Sequence, residues 1–164
     1  MEIRDLLLTE FDAEMKKTRA TLERVPEGAP DYKPHDKSTS IAKLAGHLAQ
    51  LPTLAAMVVD LPELDFSTAG MKPLVMESSQ QLLKAFDSNV KQAREAIARA
   101  DDANLQHPWK LRVESRVIME GTRYEALRNM LFNHVIHHRA QLGLYLRLNN
   151  CPVPSTYGPS ADES

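Results

Sequence analysis

The sequence predicts an all-α protein, a single four-helix bundle. Three observations carry that reading. Four long segments repeat apolar residues at three- and four-residue steps, the period of an amphipathic helix. Aromatic residues make up only 5% of the chain and glycine only six positions, while Leu, Ala, Glu, Lys and Arg abound, a balance that favours helices over sheets. At 164 residues, with no internal repeat and no composition break, the chain is of a size to fold as one domain, read here as 1–164.

The first helix is predicted over about 2–24, where Ile3, Leu6, Leu7, Phe11, Met15, Thr18 and Leu22 form one stripe. Pro26, Gly28, Pro30 and Pro34 end it and stiffen the following loop. Ser38, Thr39 and Ser40 offer caps for a second helix over about 40–60, with Ile41, Leu44, His47, Leu48, Leu51, Leu54, Ala55 and Val58 on its apolar side. Pro52 falls inside that pattern and is expected to kink or break the helix. Residues 61–76, with Pro62, Gly70 and Pro73, read as a long connection able to carry the chain across the bundle. Ser78 or Ser79 starts a third helix to about Ala100, with Leu82, Phe86, Val90, Ala93 and Ile97 on one stripe. Residues 101–121 are less regular, and weak alternation over 110–119 allows either a small hairpin or an irregular loop. Thr122 and Glu125 have capping-box spacing and open a fourth helix to about Leu148. The proline-bearing tail, 151–164, is expected to be non-helical.

A formal net charge of −2 with no long Lys/Arg run argues against a dedicated nucleic-acid binder. The single cysteine, Cys151, excludes an intrachain disulfide framework and fits a reducing compartment. No apolar stretch is long and clean enough for a signal peptide or membrane span, so a cytoplasmic protein with no membrane partner is expected.

The sequence speaks most directly about function at its histidines. Three of the six fall within residues 133–142. On a helical wheel His138 lies roughly 40° from His134, so both look inward along the stripe of Leu127 and Leu131. His47 points inward from the second helix. Three unpaired imidazoles in one apolar core are costly to desolvate, and a shared divalent cation removes that cost. His47, His134 and His138 are therefore the candidate ligands. Gln141 and Tyr145 fall on the same side of the wheel and are candidates to orient a bound molecule. Arg139 points roughly 100° from His138, either to bind an anionic cofactor at the rim or to pair with an acid. His137 reads as a rim residue, and His35 and His107 as surface residues. No Glu directly follows His134, so the metalloprotease HExxH arrangement is absent.

Several stretches carry a resemblance: Lys33 to Ser38 before the second helix, Ile41 to Ala49 around His47, Thr122 to Arg128 with the HxxxHRxQ run from His134 to Leu142, and Val153 to Glu163 in the tail. Together these resemble the DinB/YfiT-like superfamily of metalloenzymes over essentially the whole chain. Pro52 departs from the pattern. The resemblance implies an up-down-down-up bundle, often a homodimer, with a divalent metal, zinc or nickel, on His47, His134 and His138. Some relatives use low-molecular-weight thiols. The reading that follows is a metal-dependent enzyme acting on a small-molecule substrate, with a thiol as a candidate cofactor. The alternatives are a non-catalytic metal- or small-molecule-binding bundle and a metal-free interaction protein.

Overall fold

The computed structural model describes residues 2–163. Helix α1 spans Ile3–Leu22. Helix α2 spans Ile41–Gln50, with the Ser40 hydroxyl accepting from the Lys43 amide as its cap. At Pro52 the second segment breaks as expected: Leu51–Thr53 is a 3₁₀ turn, and the helix resumes as α3, Leu54–Asp60. Helix α4 spans Ser79–Arg99, capped by Ser78, and a short α5, Asp102–Gln106, follows. The fourth segment opens as α6, Arg123–Leu127, on the Thr122/Glu125 capping box. It passes through a π-helical stretch, Arg128–Asn133, and continues as α7, His134–Leu148.

Cross-helix contacts fix the directions. Asp12 with Arg94 and Arg19 with Asp87 pair α1 with α4 head to tail, and the Ile3 amide donates to Asp102 at the start of α5. Between the second segment and the stretch from the end of the connection through α4, the Met76 amide donates to the Ala42 carbonyl, Asn89 donates to the Ala49 carbonyl, and Arg99 pairs with Asp60. Position advances together along both, so these two segments run parallel. Arg128 with Glu10, then Arg139 with Glu14 and Thr18, run the fourth segment parallel to α1. The bundle is thus up-down-down-up, and the 61–78 connection makes the crossover that two parallel neighbours require.

The all-α expectation needs correcting. Glu63–Asp65, Pro108–Val113 and Arg116–Thr122 form β1, β2 and β3. They make one sheet in the order β1-β2-β3, with β1 parallel to β2 and β2 antiparallel to β3. The hairpin is stable because it is half-buried: Trp109 and Leu111 on β2 face the core, and Arg112 ties β2 to Glu63 and Asp65. One continuous apolar cluster joins all four segments and the inner face of this sheet. The tail, 151–163, carries no helix or strand and folds back onto the bundle.

Gly46 has a role the helical pattern hides. A Cβ there would stand 2.0 Å from the Leu74 carbonyl oxygen. Only glycine lets the crossover connection lie against α2 one residue before His47.

Candidate metal centre

Elements α2 and α7 bring the three histidines together across the bundle. The Nε2 atoms of His134 and His138 are 2.8 Å apart, and those of His47 and His134 are 3.4 Å apart. One ligand nitrogen from each lies within 4.8 Å of the others. Two imidazole nitrogens held at about 2.0–2.1 Å from one ion stand about 3.4 Å apart at a tetrahedral angle and about 2.9 Å apart at a right angle. The observed spacings match those two values.

The tautomers also suit a cation. Gln141 Oε1 lies 2.7 Å from His138 Nδ1, so that nitrogen carries the proton and donates it. The outer nitrogen of His138 is thus held by a neighbour, which leaves its Nε2 lone pair facing inward, the usual arrangement of a ligating histidine. Met130 lies in the π-helical stretch just before His134, a local distortion common at functional sites.

Electrostatics keep the rings neutral. Burial, then the proximity of His138 and His134, pushes the His47 pKa down to about 4. Burial likewise holds His134 and His138 below the ordinary imidazole value. Neutral imidazole is the form that binds metal. Three neutral imidazole nitrogens within 4.8 Å of one another fit a divalent cation.

His47 and His134 open onto a cleft of about 90 Å³, lined by Gln50, Leu51, Leu54, Phe66 and Met71. On the other side of His47 lie Thr39, Lys43, Pro73, Leu74 and Val75. Residues of the 61–76 connection thus wall the site, which its Pro and Gly content alone did not reveal. A groove of about 530 Å³ lined by Ile3, Leu6, Glu10, Tyr124 and Arg128 is larger. It holds no cluster of ligating side chains, so chemistry rather than size selects the site.

Other expected site residues fall elsewhere. Gln141 is at the site, but against His138 and exposed. Tyr145 is not: it is buried, its hydroxyl donates to the Thr39 carbonyl, and its ring packs edge-on to Tyr32. The wheel angle was right, but at 1.5 Å per residue Tyr145 lies about 10 Å along the axis from His138. Arg139 is not a rim residue. It is 3% exposed and points to α1, where it donates to the Glu14 carboxylate at 2.6 Å, the Glu14 carbonyl, the Thr18 hydroxyl and the Tyr157 hydroxyl. Of the two alternatives for Arg139, pairing with an acid is the one realised. Burial raises the Glu14 pKa, but hydrogen bonds from Lys17, Tyr157 and Arg139 together outweigh it and keep the carboxyl ionised. Glu14 was legible as a charge between Phe11, Met15 and Thr18. His137 is exposed, with its ring against His138. His35 and His107 lie on the surface.

The fold and site define a helical-bundle protein with a candidate three-histidine metal centre. The chain belongs to the DinB family, whose profile matches residues 1–164. No curated protein matches it. Among solved structures it is similar to a DinB-like protein from Bacillus cereus ATCC 10987, with a TM-score of 0.70 and 16% identity over 92% of this chain and 95% of that one. It is equally similar to a DinB-like protein from Bacillus subtilis, at 0.70 and 16%, covering 97% and 99%. YfiT from Bacillus subtilis, described as a probable metal-dependent hydrolase with an unusual four-helix bundle topology, superposes with a TM-score of 0.65 at 13% identity, covering 90% and 87%. At such identities these likenesses establish the shared fold.

Proposed function

We propose that this protein is a metal-dependent enzyme acting on a small molecule, with His47, His134 and His138 as its three ligands. The observation that carries the reading is the clustering of three imidazole nitrogens within 4.8 Å of one another, with the outer nitrogen of His138 already committed to Gln141. Three protein ligands and an adjoining cleft are the pattern of catalytic sites, whereas structural sites close all four positions. When bound, a divalent ion supplies Lewis acidity and an activated nucleophile near neutral pH.

The chain's own residues do the rest. Gln141 holds the His138 ring in its ligating tautomer. Leu51, Leu54, Phe66 and Met71 restrict water at the mouth. No carboxylate stands among the cleft residues, so no side chain there offers itself as a general base. A metal-activated water and a small thiol can each act without such a base, and the reading taken here is thiol transfer beside the hydrolysis ascribed to YfiT. Zinc or nickel are the expected ions, a low-molecular-weight thiol the expected co-substrate, and a cytoplasmic homodimer the expected state.

The test is a paired assay on zinc- and nickel-loaded protein, with His47→Ala as control. Conjugation of a thiol to an electrophile such as chlorodinitrobenzene, lost in the variant, supports thiol transfer. Hydrolysis of activated esters without thiol dependence would transfer the YfiT description to this chain. Tight metal binding with neither activity would leave the non-catalytic binding module.

A further inference from the structure

The cleft beside His47 and His134 is unusual in what it withholds. Its walls beyond the two imidazoles are Leu51, Leu54, Phe66 and Met71, with one polar side chain, Gln50. That side chain is already engaged through both of its polar atoms. Gln50 Nε2 donates to the Lys72 carbonyl at 2.9 Å, and Oε1 accepts from the Leu74 amide at 3.1 Å. Both bonds hold the crossover connection against α2, so Gln50 cannot turn to a ligand without releasing it. A polar group entering this cleft would leave water for walls that are mostly hydrocarbon, which carries a penalty.

We propose that this cleft selects the apolar side of a substrate: a compact hydrocarbon substituent next to a single donor group at the three histidines. The inference rests on the metal reading above and adds the substrate class. Size sharpens it. About 90 Å³ is smaller than the roughly 150 Å³ of an apolar cavity that accepts benzene. A few carbon atoms fill it, and anything longer runs out over Phe66, a residue 42% exposed at the mouth. The polar part of a larger substrate would go the other way past His47, towards Thr39 and Lys43. Lys43 is one helical turn from His47 and forms no ion pair among the described residues.

The test uses cobalt-loaded protein and two thiols of equal heavy-atom count, 1-propanethiol and 2-mercaptoethanol. Thiolate-to-cobalt charge-transfer absorption reports binding, and metal content is measured after each titration. The expected result is tighter binding of 1-propanethiol by about tenfold or more, since the two probes differ only in placing a methyl or a hydroxyl against the apolar wall. Phe66→Ser/Met71→Ser should bring the ratio close to one while leaving cobalt content unchanged. Phe66 is anchored through its backbone amide to the Arg112 carbonyl, so this variant keeps the connection in place. Equal affinities in the wild type, or a preference that survives in the variant, would overturn this inference and leave the metal reading intact. Failure to take up cobalt would remove the metal reading and this inference with it.

Discussion

Replacing Arg139 with methionine removes a guanidinium that is 3% exposed and leaves Glu14, 5% exposed, without its main counter-charge. Breaking one side of a buried ion pair costs about 3–5 kcal/mol. Lys17, 2.8 Å from Glu14 Oε1, and the Tyr157 hydroxyl, 2.6 Å from Oε2, remain to hold the carboxylate, so the lower end, about 3 kcal/mol, is expected. An unfolding entropy of about 2.1 cal/mol/K per residue over 164 residues gives about 0.34 kcal/mol/K, and hence a Tm lower by about 9 °C. Urea and thermal unfolding of Arg139→Met, Glu14→Gln and the double variant measure both the loss and the coupling. A loss under about 1 kcal/mol, or no coupling between the two positions, would refute the claim that Arg139 anchors α7 on α1. A rim role would instead leave Tm unchanged and alter ligand affinity.

Gly46→Ala should cost about 1–3 kcal/mol in urea unfolding, because the new methyl meets Leu74 backbone atoms at 2.0 and 2.6 Å; an unchanged midpoint would mean the connection moves freely. Gln141→Leu removes the acceptor for His138 Nδ1 and should weaken metal affinity about 10- to 100-fold in a chelator competition, with equal affinities counting against the orienting role. The metal-free protein should lose stability on acidification. The unfolded histidines take up protons near pH 6.5, whereas His47 resists until about 4 and His134 and His138 are also depressed, so the unfolded state binds more protons in that window and stability falls as pH drops through it. Unfolding midpoints at pH 7.5, 6 and 5 test this, and a flat profile would contradict the burial of the three rings.

The helices were legible because each carries both its signals: an apolar stripe and a local cap, as at Ser40, Ser78 and the Thr122/Glu125 box. Pro52 announced its own break by lacking an amide proton. Strand β1 was not legible, since three residues cannot show a period and Glu63–Asp65 is held by pairing with residues near 110. The π-helical stretch before His134 left no mark in the apolar spacing. The histidines could be paired from spacing within α7, and their inward direction from the stripe they share. What the wheel could not supply was depth along the axis, which misplaced Tyr145, or the identity of a partner on another helix, which left Arg139 open until Glu14 appeared 125 residues away.

The central claim is that His47, His134 and His138 hold one divalent ion. It is tested most directly by metal content, determined by mass spectrometry on tag-free protein beside His47→Ala/His134→Ala/His138→Ala. The account predicts about one ion per chain in the wild type and none in the folded variant. A folded wild type that carries no metal and refuses added zinc, nickel and manganese would contradict it.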